Sequence, residues 1–127
     1  MNRLQFIKSL FGIAAGTLVK PPEFIVPKEY KEIYSGFVAG YQYYSGTEIE
    51  HRFSVNDKLE LVREPANRFD ERAVAIHFKG IKIGFIPMID NSVLTNMIDQ
   101  KIPLTAKIKA INKKNPTWER VEVSVYI

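Results

Sequence analysis

Hydrophobic and polar positions alternate most cleanly in AVAIHFKGIKIGFIP, residues 73–87. Val74, Ile76 and Phe78 fall on one face of an extended chain, and Ala73, Ala75 and His77 on the other. Gly80 permits a tight reversal into IKIGFIP, so the pattern predicts a β-hairpin closed by Pro87. Upstream, FVAGYQYY (37–44) is aromatic and branched and reads as a strand ended by the turn signal Ser45-Gly46. Asn56-Asp57 mark another turn, followed by a strand through Leu59, Leu61 and Val62. Pro65 halts that strand, and the turn formers Asn67 and Asp70 make 64–71 a structured loop. Beyond the hairpin the period changes. Ile89, Val93, Leu94, Met97 and Ile98 form one helical stripe, with Asp90 early and Lys101 late, as the helix dipole favours. PLTAKIKAIN and WERVEVSVYI alternate again as two strands joined by a turn at 113–117. Five to six short strands with one inserted α-helix (about 88–100) predict a mainly β protein, a small antiparallel β-barrel.

The first residues follow a different pattern. In 1–19 a short basic start precedes an apolar run from Leu10 to Val19, interrupted by Gly12 and Gly16. Pro21 and Pro22 end any helix there. The run falls short of the ~20 apolar residues that span a bilayer. Its basic start and its small residues Ala14, Ala15 and Gly16 fit an export signal or a membrane-surface anchor. An amphipathic helix packing on the domain or on a partner fits equally. Residues 20–34 hold three prolines and read as an extended linker, with the barrel domain over 35–127.

Composition narrows the chemistry. The chain of 127 residues suits one domain with a core. It has no cysteine, which excludes disulfides and thiolate metal sites. His51 and His77 lack the spacing of zinc ligands, so neither metal nor cofactor is expected. Gly-rich phosphate loops, nucleophile elbows and metal-binding carboxylate–histidine spacings are all missing, and the chain reads as no enzyme. His77, amid Ala75, Ile76 and Phe78, reads as a half-buried structural histidine. The net charge is +4, and residues 79–114 carry seven lysines against Asp90 and Asp99. Such a cluster is either a solvated face or a polyanion-binding one. Tyr41, Tyr43 and Tyr44 join Phe37 on the first strand and are expected beside the 67–70 loop. On a strand Tyr43 and Tyr44 point to opposite faces, so at most one pair lines a given surface. Aromatics on a small barrel either stack unpaired bases or cover the core.

Three stretches taken together are more specific: FVAGYQYYSG, LELVREPANRFDERAVAIHFKGIKIGFIP, and the helix that follows. They resemble the HIRAN domain, over about 35–127. That module occurs at the N-terminus of some SWI/SNF-type DNA translocases and as a free-standing bacterial or phage protein. The resemblance implies an OB-like barrel that binds single-stranded DNA, captures its 3′ end, and works in DNA repair, with a translocase or helicase as partner. Tyr43, Tyr44 and Phe69 match the aromatics that hold the terminal nucleotides. Asp70 matches the aspartate that accepts a hydrogen bond from the 3′ hydroxyl. Gln42 stands where the translocase domains carry arginine, and Phe85 and Met88 where they can carry histidine and lysine. Either Lys79, Lys82, Lys107 and Lys109 supply the charge instead, or binding is weaker or different in kind. The expected nucleic-acid-binding set is therefore Gln42, Tyr43, Tyr44, Asn67, Phe69, Asp70 and Phe85 with those four lysines. This reading places the protein in the cytoplasm. The N-terminal segment supports an alternative, an exported or envelope-associated interaction module that keeps the fold without the DNA pocket.

Overall fold

Six antiparallel strands carry the chain: β1 (Glu32–Phe37), β2 (Lys58–Arg63), β3 (Val74–Phe78), β4 (Ile81–Phe85), β5 (Thr105–Ile111) and β6 (Val121–Tyr126). The computed structural model describes residues 30–127, so the expectations for 1–19 and for most of the 20–34 linker lie outside it. β1 starts at Glu32, inside the stretch read as linker.

Sheet order is β1-β6-β5-β2-β3-β4. The segment just beyond outer strand β1 then meets the other outer strand, β4, where Ala39 and Phe85 exchange backbone hydrogen bonds of 2.8 and 2.9 Å. The sheet thus curls into the expected mainly β, OB-like barrel. Gly84 makes the meeting possible. Its φ of +152° is one that residues with a side chain rarely adopt, and a Cβ there would strike Val38 and the Ala39 carbonyl.

Alternation places Val74, Ile76 and Phe78 from β3 in the core with Ile83, Ile108, Val123 and Val125, all at most 1% exposed. Each such side chain contributes roughly 1.5–3 kcal/mol of burial. The β3–β4 hairpin reverses through Lys79-Gly80, as the alternation predicts. His77 is half buried on the outer side of β3, in keeping with a structural histidine.

Three expectations need correction. FVAGYQYY is not a strand. β1 stops at Phe37, Val38 and Ala39 cross from β6 to β4, and Gly40 (φ 69°) turns the chain into a 3-10 turn, Tyr41–Tyr43. Tyr41 is wholly buried and donates its hydroxyl hydrogen bond to Glu50 Oε2 at 2.8 Å. Burial, with the Glu50 carboxylate second, holds that hydroxyl's pKa well above the ordinary tyrosine range. Two short helical segments, α1 (Gly46–Ile49) and a 3-10 turn (Glu50–Arg52), follow where only a turn was read.

The stripe after Pro87 is also divided. Met88–Asp90 is a 3-10 turn and α2 spans Asn91–Asp99. Only Leu94 and Ile98 of the stripe join the core, together with buried Asn91 and Thr95, while Ile89 and Val93 are exposed. Finally, Trp118 and Glu119 belong to a 3-10 turn (Thr117–Glu119) and not to the last strand.

Candidate nucleic-acid interface

Where the chain crosses between the sheet edges, it faces the loop between β2 and β3 across a cleft of about 230 Å³. The loop is built by its own side chains. Asn67 Oδ1 accepts from the Phe69 and Asp70 amides at 2.9 and 3.1 Å, an Asx-type closure. Asn67 Nδ2 in turn donates to Glu64 Oε1 at 3.2 Å. Asp70 Oδ1 accepts from the Arg72 amide at 2.9 Å and Oδ2 from Asn91 Nδ2 at 2.7 Å. Thr95 Oγ1 adds a bond to the Arg72 carbonyl at 2.6 Å, so α2 clamps the far side of the loop.

The Asp70 carboxylate is thus fixed from two directions, and Asp70 is among the residues that line the cleft. Each of its oxygens has one protein donor and retains a lone pair for another.

Around this carboxylate the aromatics stand open. Phe69 is 89% exposed and Tyr43 78% exposed, and both line the cleft. Tyr44 also lines it, packed edge-on to Phe85 at 5.6 Å. The 3-10 turn explains how neighbours Tyr43 and Tyr44 reach one surface, which a strand would forbid. Met88 closes the rim.

Lys82 does not line the cleft but stands against its aromatic wall. Its ammonium lies 4.8 Å from the Phe85 ring centre and 5.2 Å from that of Tyr44, and forms an ion pair with Glu64. Burial works to raise the Glu64 carboxyl pKa, but Lys82 and the Asn67 amide outweigh it and hold the group below its ordinary value.

The expected residues therefore fall into two groups. Tyr43, Tyr44, Asn67, Phe69, Asp70 and Phe85 are brought together at the cleft, with Lys82 against its aromatic wall. Gln42 is exposed on the same 3-10 turn but does not line the cleft. Lys79 sits at the hairpin tip, 5.3 Å from the Phe78 ring. On β5, Lys109 donates to Glu32 and Ser35, and Lys107 lies 5.7 Å from the Tyr126 ring. Neither β5 lysine lines the cleft.

Sequence reasoning missed Asn91. Asn91 is 2% exposed and orients Asp70 from 21 residues away. Its signal was an asparagine opening a helical stripe, which reads first as a cap. Trp118, 63% exposed, stands on the 3-10 turn beside that of Tyr41–Tyr43. Among the described residues no cluster of acidic or histidine side chains could hold a metal ion. No helix among them is long and apolar enough to cross a membrane.

An OB-like barrel that presents open aromatics and an anchored carboxylate over a shallow cleft is a binding module. The HIRAN domain pattern matches residues 31–127, and the chain belongs to that family of nucleic-acid-binding modules. A protein from Lactobacillus plantarum is similar in structure, with a TM-score of 0.67 and 18% identity over 77% of this chain and 94% of that one. The HIRAN domain of human HLTF is similar with a TM-score of 0.60 and 20% identity, over 73% and 72% of the two chains. At these identities the likeness is one of fold. Comparison with curated protein sequences gave no match.

Proposed function

We propose that the cleft binds the 3′ end of single-stranded DNA, as a non-catalytic end-recognition module working beside a DNA translocase or helicase in repair. The observation that carries this reading is the Asp70 carboxylate, anchored at both oxygens yet lining a cleft flanked by the exposed rings of Phe69 and Tyr43. Unpaired bases stack on such rings whatever their sequence. A terminal 3′ hydroxyl donates to a carboxylate, and a hydrogen bond to a charged group is worth ~1.5–3 kcal/mol. A 3′ phosphate meets the same carboxylate with repulsion. Lys82, against the Tyr44 and Phe85 rings, is a cation that can meet the backbone, and phosphate contacts position the strand without reading it.

Fluorescence anisotropy with short oligonucleotides ending in 3′ hydroxyl or 3′ phosphate, at two salt concentrations, tests the reading. Tighter binding of the hydroxyl end is expected. Asp70→Asn should narrow the gap by relieving repulsion with the phosphate. It should also lower overall affinity, since the amide has one acceptor oxygen where the carboxylate offers a separate oxygen to each of Arg72 and Asn91. Equal affinity for both ends in the unmodified protein would rule out end recognition.

A further inference from the structure

β2 and β5 pair through only two rungs, Lys58 opposite Lys107 and Leu59 opposite Ala106, before they part. The bond from the Ile108 amide to the Asp57 carbonyl (2.9 Å) sets the alternation on this side. Leu59 and Ala106 form the next bonded rung, and Leu61 with Leu104 would form the one after. On the β3 side, the bond from the Glu64 amide to the Ala73 carbonyl (3.0 Å) assigns Glu60 and Val62 to β3. The Leu61 amide and carbonyl therefore face the gap. β5 begins only at Thr105, because Pro103 and Leu104 lead in from the end of α2. Among the described residues no backbone hydrogen bond joins Leu61 to Leu104.

The gap is a groove of about 410 Å³ that shares no lining residue with the aromatic cleft. Half-buried Leu61, Ile98, Ile102 and Leu104 make its apolar walls, and Lys58 and Lys101 stand exposed at its rim. Lys107 directly opposes Lys58, so like charges face each other across the last-but-one rung. The nearby acids are already engaged. Glu60 accepts from the Gly80 amide at the hairpin tip, and Asp99 is paired with Arg63.

We propose that this groove is a strand-addition site for an extended, acidic segment of a partner protein. Such a segment would bond the free Leu61 groups, seat alternate apolar side chains between Leu61 and Ile102, and place carboxylates against Lys58 and Lys101. No aromatic side chain lines the groove to stack a base, which argues against nucleic acid here. A second copy would offer its outer strand β1, whose Glu32 is already paired with Lys109, so it fits less well.

The test is titration of the isotope-labelled full chain with a short capped peptide alternating valine and glutamate, followed by NMR. Saturable shifts at the Leu61, Ile102 and Leu104 amides, with slowed exchange at Leu61, are expected. Lys58→Glu combined with Lys101→Glu should bind about tenfold more weakly while leaving the rest of the spectrum in place. Absent shifts at these residues would overturn the proposal. So would equal binding of a valine–lysine peptide, or of the valine–glutamate peptide methylated on its bonding amides. The same shifts on concentrating the protein alone would assign the groove to a second copy, which also overturns it.

Discussion

The aromatic cleft and the lysine-bearing face of β5 both carry residue types that nucleic acids bind, but they differ in what those residues already touch. At the cleft, Phe69 and Tyr43 are largely exposed and the Asp70 oxygens each keep a free lone pair. On β5, Lys109 is engaged by Glu32 and Ser35, and Lys107 rests against Tyr126. A binding site is recognised by groups held in place with capacity to spare. Counting charges along the chain located the second face and not the first.

The largest expected effect follows from the open rings. Phe69→Ala and Tyr43→Ala should each weaken single-strand binding by ~1–3 kcal/mol, as loss of a stacking platform does. Neither should lower the melting temperature appreciably, because rings 89% and 78% exposed bury little area on folding. Anisotropy and thermal melts on the same samples decide it. Unchanged binding with either variant would remove the distinction between the two faces.

Asn91 tests whether anchoring matters as much as exposure. Asn91→Ala removes the donor to Asp70 Oδ2 without touching the cleft surface. Loss of one partner of a partly buried carboxylate costs ~1–3 kcal/mol. Binding of a 3′-hydroxyl strand should fall by about tenfold, roughly the lower half of that range. Asn91→Asp, of the same size, should be worse, since it sets one carboxylate against another. If Asn91→Ala bound like the parent while its Asp70 loop signals shifted in NMR, orientation of the carboxylate would be irrelevant to binding.

The contrast between local and distant determinants also explains what was legible in the sequence. The β3–β4 hairpin was readable because alternation and the Lys79-Gly80 reversal are local. The 64–71 loop was readable for the same reason, since Asn67 bonds residues two and three positions ahead. FVAGYQYY misled because its strand propensity loses to long-range terms. Ala39 is claimed by Phe85, and the Tyr41 ring fills space that a side chain at position 46 would occupy. The helical stripe misled at Ile89, which lies on the 3-10 turn before α2, and at Val93, because α2 packs by Leu94, Thr95 and Asn91, two of them polar and bonded to the loop. The Asp70–Asn91 pair spans 21 residues, and no spacing rule within one element reaches that far.

A pH series probes the loop that carries Phe69 and Asp70. The folded-state carboxyl of Glu64 lies below its ordinary 4.5, so the folded protein takes up this proton less readily than the unfolded chain. Its stabilisation is therefore complete above about 4.5 and is lost as the pH falls through the folded value. Protonation weakens the pair with Lys82 and the bond from Asn67. Glu64→Gln should flatten the part of the acid decline in melting temperature that belongs to this group. An identical acid profile in parent and variant would show that the loop does not depend on the charge.

The smallest effect is expected where the two faces are compared directly through salt. Each phosphate contact to a single strand contributes about 0.7 to the slope of log affinity against log salt. Lys82, beside the Tyr44 and Phe85 rings, is placed to make such a contact, though it must share its charge with Glu64. Lys82→Gln should therefore reduce the slope by about one contact's share, with a loss of affinity of a few-fold at moderate salt. Lys107→Gln combined with Lys109→Gln removes twice the charge yet should change the slope less. Lys109 is paired with Glu32, and Lys107 rests on Tyr126, which is not a cleft ring, whereas Lys82 lies against two that are. Substitution of the β5 pair leaves only a weakened long-range field, which falls off over a Debye length of about 8 Å at physiological salt. Slopes measured for both variants over the same salt range give the ranking. If the β5 pair flattened the slope more than Lys82, the bound strand would have to run over the β5 face, and the aromatic cleft would hold no more than its end.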